Sequence, residues 1–181
     1  MVKSLPEKSI QQVIDQAHEL GYPIQRIELF EHGSNLKMVL FHEENVKSQL
    51  FDALMSKGMF RALYLLIYAQ YMSVREYPSL LLIDDLCEGL DYDRSTKLGK
   101  ILFDFCIEHH IQLIASSNDT FLMDVVDLKY WNILQREGSE VSSIDIIKNP
   151  DLFDGFLFTG LSNFDFFSSD YITRKKKDCN E

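Results

Sequence analysis

The stretch Leu80-Leu81-Leu82-Ile83-Asp84-Asp85 constrains this chain more than any other. It follows Pro78, runs through four apolar residues and stops abruptly at two carboxylates, the pattern of a fully buried strand in a parallel sheet. Ile111 to Ala115 makes a second such strand, closed by Ser116-Ser117-Asn118-Asp119. Between them, Leu98, Ile101, Leu102 and Phe105 recur at helical spacing within Arg94 to His109. Strand, helix, strand in that order is a βαβ unit with helices packed on the sheet. Ligands of such sheets sit beyond the carboxyl ends of the strands, so the two polar strand ends mark a candidate site.

The flanks supply the rest of an α/β chain. Ser9 to Leu20 carries Ile10, Val13, Ile14 and Ala17 at helical spacing, with Gly21 as its stop. Ile24 to Phe30 and Leu36 to Phe41 read as a β-hairpin around His32-Gly33-Ser34-Asn35. From Asn45 to about Met72 the pattern is helical, interrupted at Ser56-Lys57-Gly58, and Phe60 to Tyr71 is apolar almost all round, which predicts a helix buried on most faces. Phe121 to Val126 predicts a short helix. Trp131 to Leu134 and Val141 to Ile147 predict a terminal hairpin around Glu137-Gly138-Ser139.

With 181 residues the chain suits one domain, and its net charge of −10 argues against a surface that coats nucleic acid as a whole. No apolar run approaches the roughly 20 residues of a membrane helix. The first residues hold no apolar signal-peptide core, so a cytoplasmic protein is expected. Cys87, Cys106 and Cys179 are odd in number and form no C-x-x-C pair, which predicts reduced thiols.

Taken in order, Ser56-Lys57-Gly58, Leu80 to Asp85, Gly89-Leu90-Asp91 and Ser116 to Asn118 resemble the C-terminal half of an ABC-type ATPase head, of the SMC, Rad50 and OLD-like AAA kind. The resemblance spans about residues 10 to 170. It implies an α/β fold, the C-terminal portion of a P-loop NTPase with a partly parallel central sheet flanked by helices and hairpins, over residues 1–170. Residues 171–181 would form a basic tail. It also implies an ATP-binding protein with Mg2+ as cofactor, working through ATP-driven association of heads. The heads would be a homo- or hetero-dimer, often in bacterial defence or DNA maintenance, with an effector nuclease or DNA as further partner.

The same resemblance assigns roles. Ser56 and Gly58 take the signature-motif positions, facing the γ-phosphate bound on the opposite subunit, and Arg61 is the basic residue one turn on. Asp84 matches the Walker B aspartate that holds magnesium, and Asp85 stands where the catalytic glutamate would be. Asp91 lies in the D-loop and is expected at the dimer interface. Asn118 falls on the switch position, where histidine is usual.

No G-x-x-x-x-G-K-[ST] occurs in the chain, and that loop supplies the phosphate cradle, the lysine and the magnesium hydroxyl. Asp85 is one methylene shorter than glutamate, and Asn118 cannot carry a proton as histidine does. A composite site is therefore expected, with the P-loop brought by a partner chain or by an N-terminal half. The alternative is a non-catalytic interaction module. Asp84, Asp85, Glu88, Asp91 and Asp93 also suggest a metal-dependent nuclease or phosphatase, and an Asp-Asp pair after an apolar strand also suits a phospho-acceptor domain. Both are minority readings.

His109-His110 suits a helix C-terminus, and His18, His32 and His42 have no ligand spacing. Phe153, Phe156, Phe158, Phe164, Phe166 and Phe167 are expected mostly in the core, sealing the sheet edge, with a subunit interface as alternative. Arg174-Lys175-Lys176-Lys177 reads as a solvated tail.

Overall fold

The computed structural model describes residues 1–32, 36–48, 50–75 and 77–168. The Gly33-Ser34-Asn35 part of the expected turn, the basic tail of residues 171–181 and Cys179 lie outside the described residues. The chain divides into two compact units, residues 1–119 and 120–181.

In the first unit, α1 (Glu7–Glu19) buries Val13, Ile14 and Ala17 on one face, as its spacing requires. β1 (Ile24–His32) and β2 (Leu36–Glu43) pair antiparallel, from His32 opposite Leu36 to Ile24 opposite Glu43. Here the expected hairpin is present.

The helical reading of residues 45–55 is corrected. Asn45 takes a left-handed turn conformation at φ +60°, β3 (Leu50–Phe51) adds to β2 through Phe41 and Leu40, and one 3-10 turn follows at Asp52–Leu54. Tertiary bonds override the local pattern. The Asp52 carboxylate accepts the Tyr64 hydroxyl at 2.7 Å and the Val39 N–H at 3.4 Å, tying this segment to its neighbours.

α2 (Lys57–Ser73) begins at Ser56, whose hydroxyl accepts the Met59 N–H at 3.2 Å. Ala62, Leu63, Leu66 and Ile67 are fully buried, but Phe60 and Tyr68 are exposed. The expectation of burial on most faces therefore fails along one aromatic stripe.

β4 (Ser79–Ile83) and β5 (Ile111–Ala115) pair parallel, Leu81 opposite Leu113 and Ile83 opposite Ala115, with α3 (Tyr92–Glu108) between them in sequence. Leu81, Ile83 and Ile111 are buried, as are Leu98, Leu102 and Phe105 of α3. The reading of β4 as buried on both faces is corrected as well: Leu80 is 49% and Leu82 71% exposed, and Ile114 beside Leu82 is exposed too. Side chains alternate across a strand, so one face of this sheet is packed and the other is open.

The second unit starts with α4 (Thr120–Met123). β6 (Asn132–Glu137) and β7 (Glu140–Asp145) then make the expected hairpin, joined by Gly138-Ser139 with Gly138 at φ +62°. α5 (Pro150–Leu157) and α6 (Asn163–Ser168) close on it. Phe153, Phe156 and Phe166 are buried with Leu128, Ile133 and Ile144. The Phe166 ring lies 5.0 Å from Phe153 and 4.6 Å from Phe156, centroid to centroid. These aromatics make a core on the β6–β7 hairpin, whereas Phe158 and Phe167 are exposed.

Candidate functional site

The site grows from the carboxyl end of β4. The parallel register that sets Ile83 opposite Ala115 brings Ser116 to the end of β5 beside Asp84. The Ser116 N–H donates to the Ile83 carbonyl at 2.9 Å, and its carbonyl accepts the Leu86 N–H at 2.8 Å. Its hydroxyl donates to Asp84 Oδ1 at 2.6 Å and accepts the Asp85 N–H at 2.9 Å. One serine thus fixes both aspartates to the neighbouring strand. Asp84 remains exposed at the sheet edge.

Past Asp84 the chain turns sharply. Asp85, Cys87 and Gly89 have φ of +50°, +94° and +81°, a left-handed conformation that is costly for a residue with a Cβ and least so for Asp, Asn and Gly. The Glu88 N–H donates to the Asp85 carbonyl and the Leu90 N–H to the Cys87 carbonyl. The loop ends at Asp91, which caps α3 by accepting the Arg94 N–H at 3.0 Å. That bond, with the paired Arg94 guanidinium, holds the Asp91 carboxyl below its ordinary pKa.

The N-terminus of α2 packs against this loop. A Cβ on Gly58 would sit 2.2 Å from the Gly89 carbonyl oxygen, so only glycine fits there. One turn on, Arg61 donates to the Asp84 carbonyl and reaches Glu88 Oε2 at 3.4 Å. Burial and the charge of Asp119 push the Cys87 thiol up to about 12, which leaves it inert at neutral pH.

Arg61, Asp84, Asp85, Glu88 and Ser116 are therefore linked by direct contacts, and Gly58 meets the same loop at Gly89. Ser56 turns its hydroxyl into the start of its own helix, and Asn118 is exposed on the loop after β5. Asp91 is bonded to its own helix start and to Arg94. Ser116 is the one linked residue given no role by the sequence; the parallel register, once assumed, would have set it beside Asp84.

Among the described residues, no three His, Cys, Asp or Glu side chains converge as a metal site. Asp93 pairs with Lys97 at 2.6 Å, Asp91 with Arg94 and Glu88 with Arg61, while Asp84 and Asp85 have no ion-pair partner among the described residues. One exposed carboxylate beside a hydroxyl suits Mg2+, which keeps most of its waters and takes further ligands from substrate phosphates.

The chain is an α/β protein with Asp84 and Asp85 at the carboxyl edge of a parallel strand pair. Its fold is similar to a solved structure described as the structural biochemistry of ATP-driven dimerization and DNA-stimulated activation of SMC ATPases. The match has a TM-score of 0.55 and 16% sequence identity, and covers 83% of this chain and 91% of that one. The likeness shows the α/β fold, a parallel strand pair with helices. No protein-family model and no curated protein matches the sequence. No helix among the described residues is long and apolar enough to cross a membrane.

Proposed function

We propose that this chain supplies the signature-loop, Walker B and D-loop side of a composite ATP site whose P-loop comes from another chain or segment. The observation that carries the reading is the close approach of Gly58 to Gly89, which joins the α2 N-terminus to the loop leaving Asp84. A helix N-terminus attracts anions through its free N–H groups and dipole, so Ser56, exposed at the start of α2, faces the opposite subunit's phosphate, while the buried Gly58 lets the loop after Asp84 pack against that helix end.

In this reading Asp84 holds Mg2+, oriented by the Ser116 hydroxyl. Asp85 orients the attacking water, and Asn118 senses the phosphate. Arg61, expected at the nucleotide, acts as a positioning residue through the Asp84 carbonyl. Asp91 caps α3 and couples the two heads. Bound MgATP supplies the γ-phosphoryl group for transfer to water. ATP-driven pairing of heads, with DNA or an effector as further partner, follows by analogy with the SMC ATPase neighbour.

The test measures ATP hydrolysis by the chain alone, by its P-loop-bearing partner alone, and by the two together. The partner is the P-loop chain, or P-loop segment of a longer form, from the same source. Hydrolysis seen only in the mixture, and lost with Asp84→Ala, supports the composite enzyme. Equal hydrolysis by the partner without this chain makes it a non-catalytic docking module. Micromolar MgATP binding by the chain alone would mean that it carries its own phosphate cradle, contrary to the proposal.

A further inference from the structure

We propose that Arg94, braced on the Tyr22 ring, is the positioning residue that fixes the Asp91 carboxylate for the coupling of two heads. The proposal rests on the composite-site reading, in which Asp91 does that coupling, and adds Arg94 and Tyr22 to it.

The loop from Asp84 to Asp91 is held at its start by Ser116 and in its middle by Gly58. Its far end is Asp91. One carboxylate oxygen there accepts the Arg94 N–H, and the other pairs with the Arg94 guanidinium. An exposed ion pair on one helix holds little by itself, because two side chains give up rotamer freedom in water to form it. Asp91 is more than half exposed, so a contact from outside α3 decides whether the pair keeps one geometry.

Tyr22 supplies that contact. The Arg94 guanidinium lies over its ring, 4.9 Å from the centroid, which is cation–π range. The ring is itself fixed by the end of α1. Leu20 closes the helix and Gly21 takes φ +77°. The Gly21 N–H donates to the His18 carbonyl and the Tyr22 N–H to the Ala17 carbonyl, each at 2.9 Å. Those two bonds make a Schellman helix end, which favours glycine at the left-handed position and sets the direction of the next residue. Tyr22 is that residue, and it is buried. A Cβ on Gly21 would stand 3.7 Å from Arg94 Nη2, so the guanidinium covers the turn as well as the ring.

The Arg94 Nε is buried and has no hydrogen-bond partner among the described residues. An N–H left in that state costs free energy, and an arginine free to turn would give it to water. Asp91 on one side and Tyr22 on the other hold it in place. The three residues form one line of contacts from the acidic loop to the α1–β1 turn. Asp91 cannot shift without drawing the guanidinium off the ring.

The Asp91 carboxyl reports on the brace. Its pKa lies below the ordinary 3.8, first through the Arg94 N–H and further through the Arg94 guanidinium. Followed by NMR titration of the full chain, it should rise in Tyr22→Leu and in Arg94→Lys, yet stay below 3.8 because the backbone bond remains. Tyr22→Phe keeps the ring and should restore the parent titration. Arg94→Lys keeps the charge without the planar group that lies on the ring, and it decides the matter should Tyr22→Leu fail to fold. A merely structural Tyr22 would lower the melting temperature and leave the titration unmoved. With the P-loop-bearing partner, Tyr22→Leu and Arg94→Lys should lower kcat by on the order of tenfold and leave KM for MgATP unchanged. An Asp91 titration unmoved in the folded variants would overturn the brace. A raised pKa with unchanged kcat would overturn the positioning role. No hydrolysis in the parent mixture would overturn the composite-site reading, and the titration would still decide the brace.

Discussion

The two smallest sheets of this protein solve the same problem differently. β6–β7 is a local hairpin that turns in two residues and sets Ile133 directly opposite Ile144, both buried under Phe153, Phe156 and Phe166. β4–β5 is parallel, needs the whole of α3 to return, and buries one face while Leu80, Leu82 and Ile114 stay in water. The hairpin closes its core within its own unit. The parallel pair carries the acidic strand end and, among the described residues, leaves one edge unpaired and one face open. A region can be fully packed or available for assembly, and here the candidate chemistry sits on the available one.

The largest expected effect is on the closed core. Phe166→Ala removes a fully buried ring that touches two others, and about 3–5 kcal/mol of stability should be lost. Denaturant unfolding followed by exchange at β6 and β7 amides would read it, and a loss below 1 kcal/mol would mean that this core is not closed.

Next is Gly58→Ala, whose new methyl meets the Gly89 backbone and not a flexible side chain. It should cost about 1–3 kcal/mol and loosen residues 84–91, seen as faster exchange at Leu86 and Leu90. An unchanged loop would separate α2 from the site and break the reading of this edge as one unit.

Asp91→Ala removes the α3 cap and should cost about 1 kcal/mol at pH 7. Its folded-state pKa lies below the ordinary 3.8. The contribution is therefore full above that ordinary value and disappears as pH falls through the lowered one. The difference between parent and variant, measured by thermal melts from pH 7 downward, should vanish in acid. A constant difference would mean that the carboxylate's charge is not what caps the helix.

The smallest effect sharpens the contrast. In the isolated chain Leu82→Lys should change stability by no more than about 0.5 kcal/mol, whereas Leu81→Lys on the packed face should unfold the first unit. Equal costs would show that the outer face is covered after all. Cys87, pushed up to about 12 by burial, should resist alkylation at pH 8 until the chain is unfolded.

Much of this was legible in the residues. α1, the β1–β2 and β6–β7 hairpins and the strand–helix–strand order of β4, α3 and β5 follow from spacing and turn residues, because periodicity and turn chemistry are local signals. The segment from Asn45 to Met55 was not legible. Its helical spacing is real, but Asp52 gains more from Tyr64 and Val39, and Leu50 and Phe51 from β2, than a lone helical turn could supply. Leu80 to Ile83 was only half legible: an unbroken apolar run says that both faces suit burial, not that both are buried in this chain.

By itself the sequence determined the α/β class, the position of Asp84 and Asp85 at a strand end and the lack of a P-loop, all set by residue type and order. Only the tertiary structure decided that Ser116 holds the two aspartates, that Arg61 serves the Asp84 carbonyl and that Gly58 must clear Gly89. Those contacts join residues 23 to 32 positions apart through the parallel register and the packing of α2. Such long-range geometry leaves no periodic trace in a chain, because loop closure places no restriction on the residues between its ends.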